Sequence, residues 1–361
     1  MAAGLTRWLT EAVPKGRVAA FRTLVYLFVV GDLTIFTPWV RGHADVPGSL
    51  YQPLFVGRLL HLPTPTYALV WSVFTALVVT AAVAATGRAP RLLGWTVFAL
   101  YFEWMIIAMS YGKVDHDRFA FLVALAVLPT VGAARHGDRA LSERAGWALR
   151  VTQIAVVATY FLAAWAKLRF GGIDWMFGSV LMRAIIRRGT WLTDFLTSAP
   201  GILIAAQVGI MAFELFSPLI FLTRGRWRTY FVAYFYGFHL VTFATITISF
   251  APHLVAMTSF LPLERVRPIV WARRALGRRP ADADAGDAGG VEPGTGRAGG
   301  GRRTVGGGGP QPDPLGVGQG AGGGAAGHPV AVAGDEPVDR VGGGQHGPDA
   351  QHPAEPRPDP A

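Results

Sequence analysis

The feature that most limits what this chain can fold into is a series of apolar runs, each close to the length of a bilayer crossing. A membrane-spanning helix needs roughly 20 predominantly apolar residues, within a range of about 17 to 25. Residues 18–40, 67–86, 92–111, 119–134, 148–168 and 202–222 supply six such runs, separated by short loops rich in Pro, Gly or charge. A seventh run, residues 230–263, is long enough for two short helices and contains Pro252. Proline removes a backbone donor and clashes with the preceding helical turn, so this run reads as a hairpin broken between residues 245 and 252. The expectation is an all-α, polytopic integral membrane helix bundle of about eight helices, spanning residues 18–265. Helices are also what lipid demands, because each one satisfies its own backbone polar groups.

Composition divides the 361 residues into two parts. Every Phe, Trp and Tyr precedes residue 277, while residues 277–361 hold 25 of the 45 glycines. A segment so poor in large apolar side chains cannot bury enough surface to offset its ordering entropy, so a disordered tail is expected there. The absence of cysteine excludes disulfides, thiolate metal sites and cysteine nucleophiles. The formal charge of +10 is almost wholly arginine, since lysine stands only at 15, 113 and 167.

The basic residues flank apolar runs and form no dense stripe, which fits membrane topology and not a nucleic-acid surface. Arg7, Lys15 and Arg17 precede the first run; Arg135, Arg139 and Arg144 follow the fourth; Arg224, Arg226 and Arg228 follow the sixth. Six more arginines lie between residues 265 and 279. Eight crossings put all four groups on one side, which the positive-inside tendency makes cytoplasmic. The chain is thus expected in the cell membrane with residues 1–17 and the juxtamembrane segment 266–276 both cytoplasmic. The first run is too long for a cleavable leader, and residues 1–15 before it are polar.

Between the fifth and sixth runs, Val180, Leu181, Ala184 and Ile185 recur at helical spacing, with Arg183, Arg187 and Arg188 largely opposite. That pattern makes an amphipathic helix, either lying in the membrane interface opposite the cytoplasmic face or packing on the bundle.

Ionisable groups at membrane depth cost roughly 2.5–3.5 kcal/mol on insertion scales and mark function by default. They are Arg22 and Asp32 in the first run, Glu103 in the third, His116 at the head of the fourth, Lys167 ending the fifth, Glu214 in the sixth, and His239 and His253 in the last pair. Arg22 and Asp32, ten residues apart, do not share a helical face and should pair with other helices. Glu214 and His239, each mid-run on successive helices, form a candidate hydrogen-bonded or proton-relay pair. Lys167 could be an anchor whose stem carries its ammonium to the interface. It could equally be a base, since burial can make an amine neutral as it cannot a guanidinium.

The residues around it decide how to weigh these readings. Tyr160, Phe161, Ala163, Ala164, Lys167 and Leu168, followed by Trp175 and Gly178, resemble the Tyr-Phe-x-Ala-Gly-x-x-Lys-Leu…Trp…Gly motif of the horizontally transferred transmembrane (HTTM) domain, the membrane part of vitamin K-dependent gamma-carboxylases. Phe21-Arg22, His116, Glu214, Phe238-His239 and Ile248-Ser-Phe250 follow in that family's order, over roughly residues 18–265. Asp115, Ala164 and Thr242 depart from its usual Asn, Gly and Asn. The resemblance implies that Lys167 deprotonates a reduced naphthoquinone, such as reduced menaquinone or a vitamin K-like compound, and that His116 is an accessory acid. It also implies that Tyr160, Trp165, Glu214 and His239 surround the quinone. The family's carboxylases continue into a large folded domain that engages protein substrate, where this chain has its glycine-rich tail, so glutamate carboxylation itself is not expected. Two functions follow as alternatives: a quinone-dependent, carboxylase- or epoxidase-like enzyme, or a non-enzymatic scaffold or small-solute transporter. The bilayer and a lipid-soluble quinone are the expected partners.

Overall fold

The structure, a computed structural model, describes residues 2–265. The expected segments 266–276 and 277–361 lie outside the described residues. The elements are α1 (Ala2–Leu9), β1 (Val13–Pro14), α2 (Lys15–Gly31), α3 (Phe55–Leu59), α4 (Tyr67–Ala85), α5 (Leu92–Met109), α6 (Phe119–Val131), β2 (Leu141–Ser142), α7 (Glu143–Gly171), α8 (Asp174–Phe177), α9 (Val180–Arg188), α10 (Pro200–Phe216), α11 (Gly225–Ile246) and α12 (Ala251–Met257). The chain is an all-α bundle, and its two strands are two-residue pieces paired antiparallel, Val13 with Ser142 and Pro14 with Leu141.

Six helices are long and apolar enough to cross a membrane: Lys15–Phe36, Tyr67–Ala85, Leu92–Met109, Glu143–Gly171, Pro200–Leu222 and Gly225–Ile246. Two shorter helices, α6 and α12, stand where the other two of the expected eight were read. The fourth run yields only 13 helical residues, α6, because Pro129 sits in its last turn and Gly132 follows with φ +75°. At 1.5 Å per residue α6 is about 20 Å long, short of the roughly 30 Å core. The last run does break where expected, but unequally. α11 has 22 residues and ends at Thr247 in the left-handed region (φ 55°); α12 has seven, with Pro252 in its first turn, where a missing N–H costs nothing.

Both short helices still carry the chain from one face of the bundle to the other. The β1–β2 pair sets the starts of α2 and α7 side by side. Close to that face, Arg22 donates to the carbonyls of Gly132 (2.9 Å) and Ala134 (2.7 Å) just beyond α6. At the opposite end of α2, Arg118 in the turn before α6 donates to Asp32 Oδ2 at 2.6 Å. α6 is thus antiparallel to α2. At the far end of the described chain, Glu264 accepts two hydrogen bonds from Arg17 (2.7 and 2.8 Å), so α12 and the turns after it return to the starting face.

Local signals explain individual helix ends. Thr66 and Ser142 cap α4 and α7, accepting from Leu69 N–H and Ala145 N–H. A Cβ on Gly146 would stand 1.8 Å from the carbonyl oxygen of Glu11, so only glycine lets α7 pass under the amino-terminal segment. α2 closes in a wide turn, Asp32–Phe36, that sets Asp32 fully inside the bundle. Tyr101 donates to Asp32 Oδ2 at 2.8 Å, and Arg118 also donates to the Tyr101 hydroxyl at 3.0 Å. Arg22 and Asp32 thus do not pair with each other; Asp32 meets Tyr101 on α5 and Arg118, and Arg22 meets the segment just after α6. Arg118 had not stood out in the sequence, because its neighbours in DHDRF are polar and mark a loop.

Removing one member of a buried pair leaves the other charge stranded, at a cost of about 3–5 kcal/mol. Arg118→Met should lower unfolding stability in detergent by about that amount, and adding Asp32→Asn should recover part of it. At the rim, hydrogen bonds from Arg17 hold the Glu264 carboxyl below its ordinary pKa. That contribution is present above the unfolded carboxylate pKa, near 4.3, and fades as pH falls through the lower folded value. Thermal scans from pH 6 to 3 should therefore show a steeper acid loss for the native protein than for Glu264→Gln.

Candidate functional site

α7, α10, α11 and α12 enclose a cavity of about 510 Å³, roofed by α8 and α9. Helical periodicity aims the polar residues into it. Tyr160 and Lys167 lie seven apart on α7, and Gln207 and Glu214 seven apart on α10, two turns in each case and so on one face. α11 contributes His239, α12 contributes His253, and the turn before α6 contributes His116. The volume falls in the range of small-molecule sites, about 300–1,000 Å³, which pair apolar walls with a few placed polar groups.

The polar groups form two units. In the first, the Lys167 ammonium bonds both carboxylate oxygens of Glu214 and lies 5.0 Å from the centroid of the Trp175 ring, a cation–π contact. Glu214 is buried and Lys167 only partly exposed. In the second, the Tyr160 hydroxyl and His239 Nε2 are hydrogen-bonded at 2.6 Å. His253 stands edge-on to Tyr160, with centroids 4.8 Å apart and planes at 88°, and 5.4 Å from the His239 ring. Phe213 and Phe235, each 5.1 Å from Tyr160, fix that tyrosine from behind.

His239 Nδ1 and both ring nitrogens of His253 have no hydrogen-bond partner within the protein, although the residues are only 4% and 1% exposed. Buried polar atoms in native proteins are nearly always bonded, and orphans call for an explanation. These three orphaned ring nitrogens belong to two residues that line one apolar cavity, and they call for a partner that the protein itself does not supply.

Gln207, 1% exposed, secures the roof. Its side-chain N–H groups donate to the carbonyls of Trp175, Met176 and Gly178, and its carbonyl accepts from Leu181 N–H. On the other flank, Thr190 donates through its N–H to Thr245 O and through its hydroxyl to Ala244 O. Val180, Leu181, Ala184 and Ile185 of α9 line the cavity while Arg183, Arg187 and Arg188 are exposed, so α9 packs on the bundle by the very stripe that marked it as amphipathic.

Of the residues expected at the site, Lys167, His116, Tyr160, Glu214 and His239 all line the cavity. Lys167 is paired with Glu214. The pairing of Glu214 with His239 is corrected: each has a nearer partner on α7. Trp165 is also corrected, since it is 54% exposed and absent from the cavity wall. Two residues before Lys167 on a 3.6-residue helix, it must point elsewhere, and Trp175 from α8 takes the aromatic position. Gln207 and Trp175 were unforeseen as wall residues, although Trp175 belongs to the motif quoted above. His116 is exposed and also lines the cavity, its ring 6.5 Å from that of Phe250. Glu103, apart from the site, is half-buried, and its Oε1 has no partner. Among the described residues no three His, Asp or Glu side chains are grouped to hold a metal ion. No family model, curated protein or solved structure matches the chain.

Leaving four backbone groups without Gln207 should loosen the roof by about 1–3 kcal/mol. Hydrogen exchange on Gln207→Leu should show faster exchange at Leu181 and its neighbours, with α2 and α5 unchanged.

Proposed function

We propose that this protein is a membrane enzyme of the HTTM, vitamin K-dependent carboxylase-like kind, whose cavity takes a reduced naphthoquinone and uses the Lys167–Glu214 pair as its base. The observation that carries this reading is the convergence of Lys167, Glu214, Tyr160, His239 and His253, drawn from four helices, on one apolar cavity. The residues fit such a group: flat apolar walls for the rings, and orphaned histidine nitrogens for two ring oxygens. When bound, the naphthoquinol would supply the reducing power, consuming one dioxygen to give its epoxide and one water.

The protein's part is proton handling. As an ammonium, Lys167 cannot accept a proton. Transfer of that proton from Nζ to a Glu214 oxygen, to which it is already hydrogen-bonded, would leave a neutral amine beside a neutral acid. The amine can then take a proton from a hydroxyl held by His239 or His253, and the cation–π contact with Trp175 helps hold the charge that returns. His116, exposed and on the cavity lining, would exchange protons with the exterior. We place the protein in the cell membrane with its residue 17 face, where Arg17 and Glu264 meet, in the cytoplasm, from the arginine distribution.

The test is incubation of the protein in lipid nanodiscs with reduced menaquinone and oxygen, with epoxide measured by mass spectrometry. A positioned general base contributes about 10²–10⁴-fold. Lys167→Arg, which keeps the charge and cannot act as a base, should reduce epoxide formation by at least about 100-fold. Absence of epoxide from the native protein, or equal turnover in Lys167→Arg, would overturn the reading.

A further inference from the structure

A groove of about 270 Å³ lies between α10 and α11 and shares no residue with the wall of the main cavity. Gly209, Ala212 and Phe216 of α10 border it together with Phe231 and Tyr234 of α11. Phe213 and Phe235 complete the border, and the same two rings pack on Tyr160 of the main cavity, each 5.1 Å away, so they separate the two spaces. Small residues make the hollow: Gly209 and Ala212, three apart, share a face of α10, and a Cβ on Gly209 would meet nothing within 4 Å. No charged side chain borders the groove, and the Ser217 hydroxyl there is engaged by the Glu214 carbonyl at 2.8 Å. α10 and α11 are also the two least buried of the six long helices, so the groove belongs to the surface that a bilayer would cover.

The groove lies in the half of this hairpin nearer its turn: Phe235, its deepest border on α11, is about 15 Å from the start of that helix at 1.5 Å per residue. The turn itself meets the face of the bundle that carries residue 17. Phe221 packs edge-on against Trp8 at 5.5 Å, and the Trp8 ring lies 4.5 Å from the Arg150 guanidinium near the start of α7. Arg224 and Arg226 are exposed at this turn, and half-buried Arg228 donates to the Thr223 carbonyl at 3.1 Å. No Asp or Glu occurs between Glu214 and Glu264, and among the described residues no carboxylate pairs with any of the three arginines. Trp227 and Tyr230 beside them are exposed, and these are the residue types that settle at headgroup depth. We infer that this hairpin binds an anionic phospholipid, its phosphate on the arginines of the turn and one acyl chain in the groove. Basic groups that flank membrane helices attract anionic headgroups; the adjoining apolar slot makes the attraction specific to one place. A soluble anion would leave the groove empty, and an uncharged lipid would leave the arginines unpaired. The inference needs only the membrane location of the bundle and is independent of what the main cavity takes.

The test is native mass spectrometry of the full chain, released from detergent that holds equal amounts of phosphatidylglycerol and phosphatidylcholine with the same acyl chains. The unmodified protein should retain phosphatidylglycerol over phosphatidylcholine by about tenfold or more. Gly209→Phe and Ala212→Phe each fill the groove from an exposed position and should lower that retention by about tenfold. Two filling variants keep this arm readable should one fail to fold. Val208→Trp, on the same helix at an exposed position that borders neither the groove nor the main cavity, should leave retention within about twofold. Replacing Arg224, Arg226 and Arg228 together by Gln should bring the two lipids to equal retention. The same replacement of Arg183, Arg187 and Arg188 on α9 removes as much charge beyond the other end of α10 and should keep the preference. Equal retention of the two lipids by the native protein, retention of neither, an unchanged preference after neutralising the turn, or no loss in the filling variants would overturn the inference. So would an equal loss of preference in the α9 variant, which would make the effect one of net charge alone. A native dimer that Gly209→Phe or Ala212→Phe splits into monomers would give the groove to a second copy of the chain, and the lipid assignment would fall.

Discussion

A charged side chain carried into an apolar bundle must find a partner on another element, and that requirement organises this fold. Arg22 is answered by the carbonyls that end α6, Asp32 by Arg118 and Tyr101, and Lys167 by Glu214. Each link ties α2 to α6, α2 to α5, or α7 to α10, at opposite faces of the bundle. Packing alone would not choose so sharply among helices whose surfaces are all apolar, because lipid tails compete with side chains on nearly equal terms. A misplaced helix would strand a charge. The polar links therefore specify which helices are neighbours, while close contacts such as Gly146 beneath Glu11 set how near they come.

The same logic separates the structural pairs from the cavity. Around Asp32 the charge is surrounded: Tyr101 and Arg118 both reach one carboxylate oxygen, and Trp104 braces the turn through Thr37. Around Lys167 the pair faces open volume, and the histidines nearby have nitrogens to spare. Asp32 keeps one unpartnered oxygen, Oδ1, yet lies fully inside the bundle, whereas the Lys167–Glu214 pair lines a cavity. That contrast, more than the presence of ionisable residues at depth, distinguishes a site from a brace.

Hydropathy found the long helices because run length is a direct consequence of bilayer thickness, and Pro252 located the break beyond α11. The shortness of α6 was hidden because residues 119–134 are as apolar as a true crossing; Pro129 and Gly132 cut the helix without lowering the run's hydrophobicity. The site residues were readable as the few costly groups on apolar faces, but their partners were not. Glu214 could have met His239 or Lys167, and only the packing of α10 against α7 decides it. Trp165 and Trp175 are equally aromatic in sequence. The turn at Gly172 (φ 60°) after α7 brings the second back over the cavity, a long-range outcome that neighbouring residues do not encode. Gln207 carried no charge to draw notice, yet it makes more polar contacts than any ionisable group at the cavity.

The clasp between Arg17 and Glu264 joins positions 247 residues apart in the chain. During synthesis the first helix emerges long before its acid partner exists, so this contact belongs to the final stage of assembly. Contacts of such separation carry the largest loop-closure cost and cannot help nucleate the bundle. The early helices must settle by their own local pairings, with Arg118 reaching Asp32 soon after α6 is made. The clasp then acts as a latch: it senses whether α12 has returned to the starting face, and so whether His253 has been delivered to the cavity wall.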